Sequence, residues 1–161
     1  MIRVLMVCTG NICRSAMAHQ VLAEAVAEAG LDVEVDSAGV SDEEEGNPID
    51  PRAARVLREA GHGVPDRRAR RISPAEMGSW DLVLAMTDRH RRILNAFNNP
   101  PGSSGPVTDV RMFRDFDPEA TRMDLDLPDP WYGGHDDFVE TLAVIERTTP
   151  YLAGHLRSLT R

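Results

Sequence analysis

Arg3-Val4-Leu5-Met6-Val7-Cys8-Thr9-Gly10-Asn11-Ile12-Cys13-Arg14-Ser15 reads as an apolar run, a short polar turn and the opening of a helix. A near-continuous apolar run such as Arg3 to Val7 suits a strand covered on both faces. Beyond the turn, Met17, Val21, Leu22, Ala25 and Val26 recur at helical spacing, which predicts a helix over about 15–29. Ser15 is its expected N-cap and Gly30 its terminator. A strand, a tight turn and a helix in that order begin an α/β fold with a parallel sheet.

The rest of the chain repeats the alternation. A second strand is expected at Val33 to Asp36, followed by a polar, acidic loop from Ser37 to Asn47. Asp50-Pro51 opens a helix that stops at Gly61, with Asp as N-cap and Pro at the first position. Ser73-Pro74-Ala75-Glu76 has capping-box spacing and signals another helix start. Asp81 to Ala85 reads as a third strand, and Thr87 as the cap of a helix reaching Phe97. A short strand is expected near Val107 to Val110, then an irregular stretch over Arg111 to Gly134. The last helix starts near Asp136, turns Phe138, Leu142 and Ile145 inward, and should be kinked or interrupted at Pro150. Residues 1–161 thus read as one domain.

Composition narrows the function. A chain 42% hydrophobic and 27% charged is ordinary for a globular protein that buries its own core. The formal charge of −8 argues against a nucleic-acid partner. All 18 basic residues are Arg, which removes Schiff-base and Lys-phosphate chemistry. No apolar run approaches the roughly 20 residues of a membrane span, and the apolar start is too short for a signal peptide. A cytoplasmic protein without membrane association is expected. Cys8 and Cys13 are the two cysteines, too close to staple distant parts of a fold. The five histidines show no metal-ligand spacing, so neither metal nor cofactor is expected.

The turn carries the chemistry. Backbone N–H groups between a strand and a helix N-terminus converge on one point, and the helix dipole adds positive potential there. Thr9, Gly10, Asn11, Ile12, Cys13, Arg14 and Ser15 would cradle a phosphate dianion in such a nest. Gly10 would let the chain turn without a Cβ clash. Arg14 can grip two phosphate oxygens with its planar fork. Cys8, at the start of the turn, sits where the same field would stabilise a thiolate, the nucleophilic form of the side chain. Ser15 can donate its hydroxyl to that sulfur. The plainer alternative is a buried strand-end cysteine that happens to precede an arginine.

A phosphate monoester also needs its leaving oxygen protonated. Among Asp124, Asp126 and Asp129, local chemistry favours Asp129, restrained by Pro128 and Pro130. Trp131 and Tyr132 could desolvate its carboxyl and wall an aromatic substrate. Asp124 and Asp126 read as solvated loop acids.

The segment Cys8 to Ser15 resembles the signature loop of the low-molecular-weight protein tyrosine phosphatases of bacterial type. Val35-Asp36-Ser37-Ala38-Gly39 resembles that family's second-strand exit, Asp50-Pro51-Arg52-Ala53 its next helix start, Asp81 to Met86 its third strand, and Asp129-Pro130-Trp131-Tyr132 its acid loop. The resemblance implies a four-stranded, twisted parallel sheet with helices on both faces. It implies catalysis by Cys8, Arg14 and Asp129 through a phosphocysteine, with Asn11, Ser15 and Ser37 supporting the loop. Tyrosine-phosphorylated proteins would be the substrates, and inorganic phosphate the product and competing ligand.

Three departures stand out. Ala16 replaces the usual Pro. Val40 to Gly46 carries Glu43, Glu44 and Glu45 where relatives often have an aromatic cleft residue, so Ile12, Glu43, Glu44, Trp131 and Tyr132 are the expected cleft lining. Arg67 stands where relatives often place a loop-buttressing His, within an Arg67 to Arg71 cluster that otherwise reads as solvated surface. Cys13 is either a small buried residue or a reversible disulfide partner of Cys8. Arsenate reductase is disfavoured because its relay needs further cysteines. Phosphoarginine phosphatase is disfavoured because a Thr tends to stand there where this chain has Ile12. A phosphate-binding module without turnover is disfavoured by the intact Cys8, Arg14 and Asp129.

Overall fold

The apolar run at the start of the chain forms the buried strand β1 (Ile2–Cys8), as its composition requires. In the computed structural model, which describes residues 1–160, it is followed by α1 (Arg14–Glu28), β2 (Val33–Gly39), α2 (Pro51–Glu59), β3 (Leu82–Ala85), α3 (Asp88–Asn98), β4 (Asp109–Met112) and α4 (His135–Leu159). Short 3-10 helices occupy Pro74–Ser79 and Phe113–Phe116. The four strands lie in the order β2-β1-β3-β4 and every pair is parallel.

Alternation along β1 separates two cores. Val4 and Met6 face α1, α2 and α4, together with Met17, Leu22, Leu57, Phe138 and Ile145. Leu5 and Val7 face the opposite layer, with Met77, Trp80, Val83 and Leu94. Helices therefore cover both faces. The chain leaves β1 for β2 on one side and returns for β3 on the other. Cys8, at the C-terminal end of β1, thus lies at the topological switch point where α/β sheets open a crevice.

Boundaries differ from expectation for identifiable reasons. Ser15 is not the N-cap: α1 begins at Arg14, with Cys13 flanking it and no side-chain cap. The Ser15 hydroxyl is committed elsewhere, to the Cys8 sulfur. Strand β2 runs on to Gly39, because Arg3 to Cys8 offer it a continuous partner. Strand β4 starts only at Asp109. The Asn98 side chain takes the N–H groups of Val107 and Thr108 at 3.1 and 2.9 Å, so neither can join the ladder. The capping box at Ser73 is formed, yet it opens only a 3-10 helix before Trp80 is drawn into the core.

Pro150 does not interrupt α4, which continues to Leu159. Its ring is exposed, while Leu152 and Leu156 extend the buried stripe beyond it. Their burial offsets the missing backbone hydrogen bond. Among the described residues, no helix is long and apolar enough to cross a membrane.

Candidate active site

The turn after β1 is cast against the sheet. The N–H groups of Val40 and Ser41 donate to the carbonyls of Cys8 and Thr9, each at 3.0 Å. Gly39 lies so close that a Cβ there would stand 2.5 Å from the Thr9 carbonyl oxygen. On the other side Asp50 N–H holds the Ile12 carbonyl at 2.9 Å. The first helical bond of α1 runs from Met17 to Cys13. The amides from Cys13 to Ala16 consequently have no partner within the helix ladder.

The tight turn is made by Asn11 rather than Gly10. Asn11 has φ of 62°, the left-handed region that Asn tolerates better than most residues. Glycine at position 10 instead makes room for Glu44, whose Cγ would lie 3.1 Å from an added Cβ.

Three polar side chains converge behind the sulfur. Asn11 Nδ2 donates to Ser15 Oγ at 2.8 Å, and Ser15 Oγ lies 3.0 Å from Cys8 Sγ. Because that hydroxyl accepts from Asn11, its own proton is free for the sulfur. Asn11 N–H points at the same sulfur from 3.3 Å. Asn11 Oδ1 accepts from the Arg67 guanidinium and from Arg70 N–H. Arginine has only donors, so this contact fixes which end of the Asn11 amide faces Ser15.

Arg67 is therefore part of the loop's support and not solvated surface. It is half-buried and also donates to the carbonyls of Asn11 and Ser37. Ser37 joins the support through that carbonyl, while its hydroxyl pairs with His19 at 3.2 Å. Arg70 is likewise engaged, with Asp36 and Glu76. Within the cluster only Arg68 and Arg71 are exposed.

The Arg14 side chain is 5% exposed. Its Nη1 donates to the Leu127 carbonyl at 2.9 Å, and its Nη2 lies 3.4 Å from Asp129 Oδ2. Asp129 Oδ1 accepts from Trp131 N–H at 3.0 Å. Arg52 carries this segment: it is held by Asp50, donates to the Trp131 carbonyl at 2.9 Å, and lies over the Trp131 and Phe138 rings. The Asp129 side chain is 43% exposed and Tyr132 is 94% exposed, so the aromatic pair does not enclose the carboxylate. Asp124 pairs with Arg114, and Asp126 accepts from Asp88 N–H. Both acids are thereby tied to the scaffold.

One cleft gathers Cys8, Thr9, Gly10, Asn11, Ile12, Cys13 and Arg14 as its floor, with Glu43, Glu44, Asp129, Trp131 and Tyr132 as its walls. Ser15 stands behind the floor and is fully buried. Cys13 is a free thiol whose pKa burial pushes far up. His90, which its spacing did not single out, reaches Thr9 Oγ1 at 2.8 Å. Arg52 and the Leu127 carbonyl were also missed. Arg52 follows Asp50-Pro51 directly, a detectable cue, whereas a main-chain acceptor 113 residues from Arg14 left no trace in the sequence. Among the described residues, no group of three or more His, Cys, Asp or Glu is placed to hold a metal.

The family model for low molecular weight phosphotyrosine protein phosphatase matches residues 3–161. The low molecular weight protein-tyrosine-phosphatase of Streptomyces coelicolor is 41% identical over 157 residues, 96% of this chain and 93% of that one. The human low molecular weight phosphotyrosine protein phosphatase is 33% identical over 84% of this chain and 83% of its own. A crystal structure of protein tyrosine phosphatase from Entamoeba histolytica superposes with TM-score 0.88 at 26% identity, covering 100% of both chains. Fold, cleft and relatives together define a phosphoric monoester hydrolase. This chain belongs to the low-molecular-weight protein tyrosine phosphatase family.

Proposed function

We propose that the protein hydrolyses phosphotyrosine in proteins through a phosphocysteine, with Cys8 as nucleophile, Arg14 as phosphate clamp and Asp129 as general acid and base. The observation that carries this reading is the Cys8 sulfur, held by Ser15 and Asn11 at the floor of a cleft that also contains Arg14 and Asp129. The Cys8 thiolate attacks phosphorus, and the phosphorus–oxygen bond to the phenol breaks. Asp129 gives its proton to the departing oxygen. Arg14 and the loop amides hold the remaining oxygens as charge redistributes. In the second step Asp129, now a carboxylate, takes a proton from water, which attacks phosphorus. Sulfur leaves as thiolate, with Ser15 Oγ–H supporting it.

Ile12, lining the cleft, supports an aromatic ester over a guanidinium as the leaving group. Two cysteines in all leave no third thiol for the arsenate reductase relay. The reading includes a reducing, cytoplasmic setting, supported by two free thiols. Cys13 is assigned to packing, with disulfide formation on oxidation as its second use.

Cys8→Ser should abolish hydrolysis of an aryl phosphate while inorganic phosphate still binds. Undiminished turnover in that variant would end the assignment. Parallel rates on phosphotyrosine, phosphoarginine and phosphoserine peptides test the substrate, and phosphotyrosine should be fastest.

A further inference from the structure

His90 is the one buried side chain among the described residues with a polar atom left without a partner. It sits in the first turn of α3, 1% exposed, and its Nδ1 meets no donor or acceptor. Its other nitrogen, Nε2, lies 2.8 Å from Thr9 Oγ1. Burial first, then Arg14 and Arg89, lower its pKa to about 3, so the ring is neutral whenever the enzyme works. A neutral imidazole has one N–H and one bare nitrogen, and two tautomers are available.

If Nδ1 carried the proton, a buried N–H would be stranded without an acceptor, which costs more than a bare lone pair. If Nε2 carries it, that N–H donates to Thr9 Oγ1 and only a lone pair is left at Nδ1. The second arrangement has a further effect. A threonine oxygen that accepts from His90 keeps its own proton unspent, and Thr9 Oγ1 has no other hydrogen bond among the described residues. Thr9 lines the cleft beside Cys8 and Arg14. Its main chain cannot swing away, because its carbonyl is held by Ser41 and crowded by Gly39.

We infer that His90 is a positioning residue that donates through Nε2 to Thr9 and thereby turns the Thr9 hydroxyl proton into the cleft, where it donates to a phosphoryl oxygen of the substrate. The inference rests on the phosphatase reading of the cleft. It adds a side-chain donor to a cradle otherwise made of backbone amides and Arg14, on the side of the loop away from Arg67.

Nitrogen-15 NMR of the wild-type protein reads the tautomer directly. The expected spectrum has His90 protonated on Nε2 and unchanged between pH 5 and 8; protonation on Nδ1 overturns the proposal. A double-mutant cycle with an aryl phosphate supplies the kinetic half. Thr9→Val and His90→Phe should each weaken inhibition by inorganic phosphate and lower kcat/KM by about tenfold. The double variant should be no worse than Thr9→Val alone, and Thr9→Ser should stay within about threefold of wild type. If His90→Phe costs as much in the Thr9→Val background as in wild type, the coupling is absent and the proposal fails. Cys8→Ser is run alongside. Full turnover there sinks the nucleophile reading, whereas an inactive Cys8→Ser with additive Thr9 and His90 effects sinks only this inference.

Discussion

From Cys8 to Ser15 every residue except Thr9 and Gly10 is buried, whereas from Pro128 to Gly134 only Pro130 is. The two segments line one cleft, and the proposed mechanism draws on both. The first is restrained by the sheet, by Asp50, by Arg67 and by His90. The second hangs on Arg52, the Asp129 turn and the contact between Arg14 and Asp129. Bond making at phosphorus needs donors fixed within tenths of an ångström, while a general acid must follow leaving groups of different shape. Under the proposed mechanism, rigidity falls where phosphorus reacts and exposure where the leaving group varies.

Several changes would break or sharpen that contrast. The largest effect is expected at the exposed side. Asp129→Asn should lower kcat on aryl phosphates with poor leaving groups by about a hundredfold to ten-thousandfold. It should also flatten the alkaline limb of the pH–rate profile. A profile of unchanged shape would show that another group supplies it.

On the rigid side, Arg67→Met removes the donor that orients Asn11. It should lower kcat by about tenfold with little change in KM for small substrates. An equal change in both would mean that Arg67 acts on binding and not on the sulfur's environment.

The exposed segment has one firm anchor upstream. Asp117 is buried between Arg114 and Arg147, and Arg114 also holds the Asp126 carbonyl at 3.0 Å. Hydrogen bonds from Arg147 first, with help from Glu119 N–H and Arg114, hold the Asp117 carboxyl well below the usual carboxylate range. A pKa depressed in the folded state gives stability that is complete above the unfolded value of about 3.9. It is lost as pH falls toward the folded value. Acid titration of the melting temperature should show that loss begin below about pH 4, and Asp117→Asn should cost about 3 kcal/mol at neutral pH. An acid limb of the same size in that variant would assign it to other carboxylates.

The smallest effect belongs to the rim acids. Neutralising Glu43, Glu44 and Glu45 together should raise kcat/KM on acidic phosphopeptides by about fivefold at low salt and less at high salt. A peptide ranking indifferent to charge and salt would remove these residues from specificity.

The difference between the two regions also explains what could be read from the chain alone. Strand, turn and helix around Cys8 are consecutive in sequence, so their chemistry is visible as a pattern of residue types. The cleft walls at Glu43, Glu44, Asp129, Trp131 and Tyr132 were also legible, each through a local oddity of composition. Long-range support was not. Arg67 has three similar neighbours; the resemblance put it at a buttressing position, but only the folded chain shows its guanidinium turned inward onto Asn11. His90 looks like one polar residue in a polar helix. Its burial depends on α3 packing against β3 and β4. Ser15 was legible in two roles, as a cap and as a donor to the Cys8 sulfur; the hydroxyl sits on the sulfur, and no side chain caps α1.

Arg67 has one more consequence. Where relatives often carry an imidazole, this chain places a guanidinium, which keeps its charge throughout the physiological acidity range. The hydrogen-bond chain from Arg67 through Asn11 and Ser15 to the sulfur has no member that changes protonation near neutrality. Acidification of the surroundings should therefore reach the reaction through the reacting groups of the cleft, the nucleophilic sulfur included, leaving the scaffold beneath them indifferent.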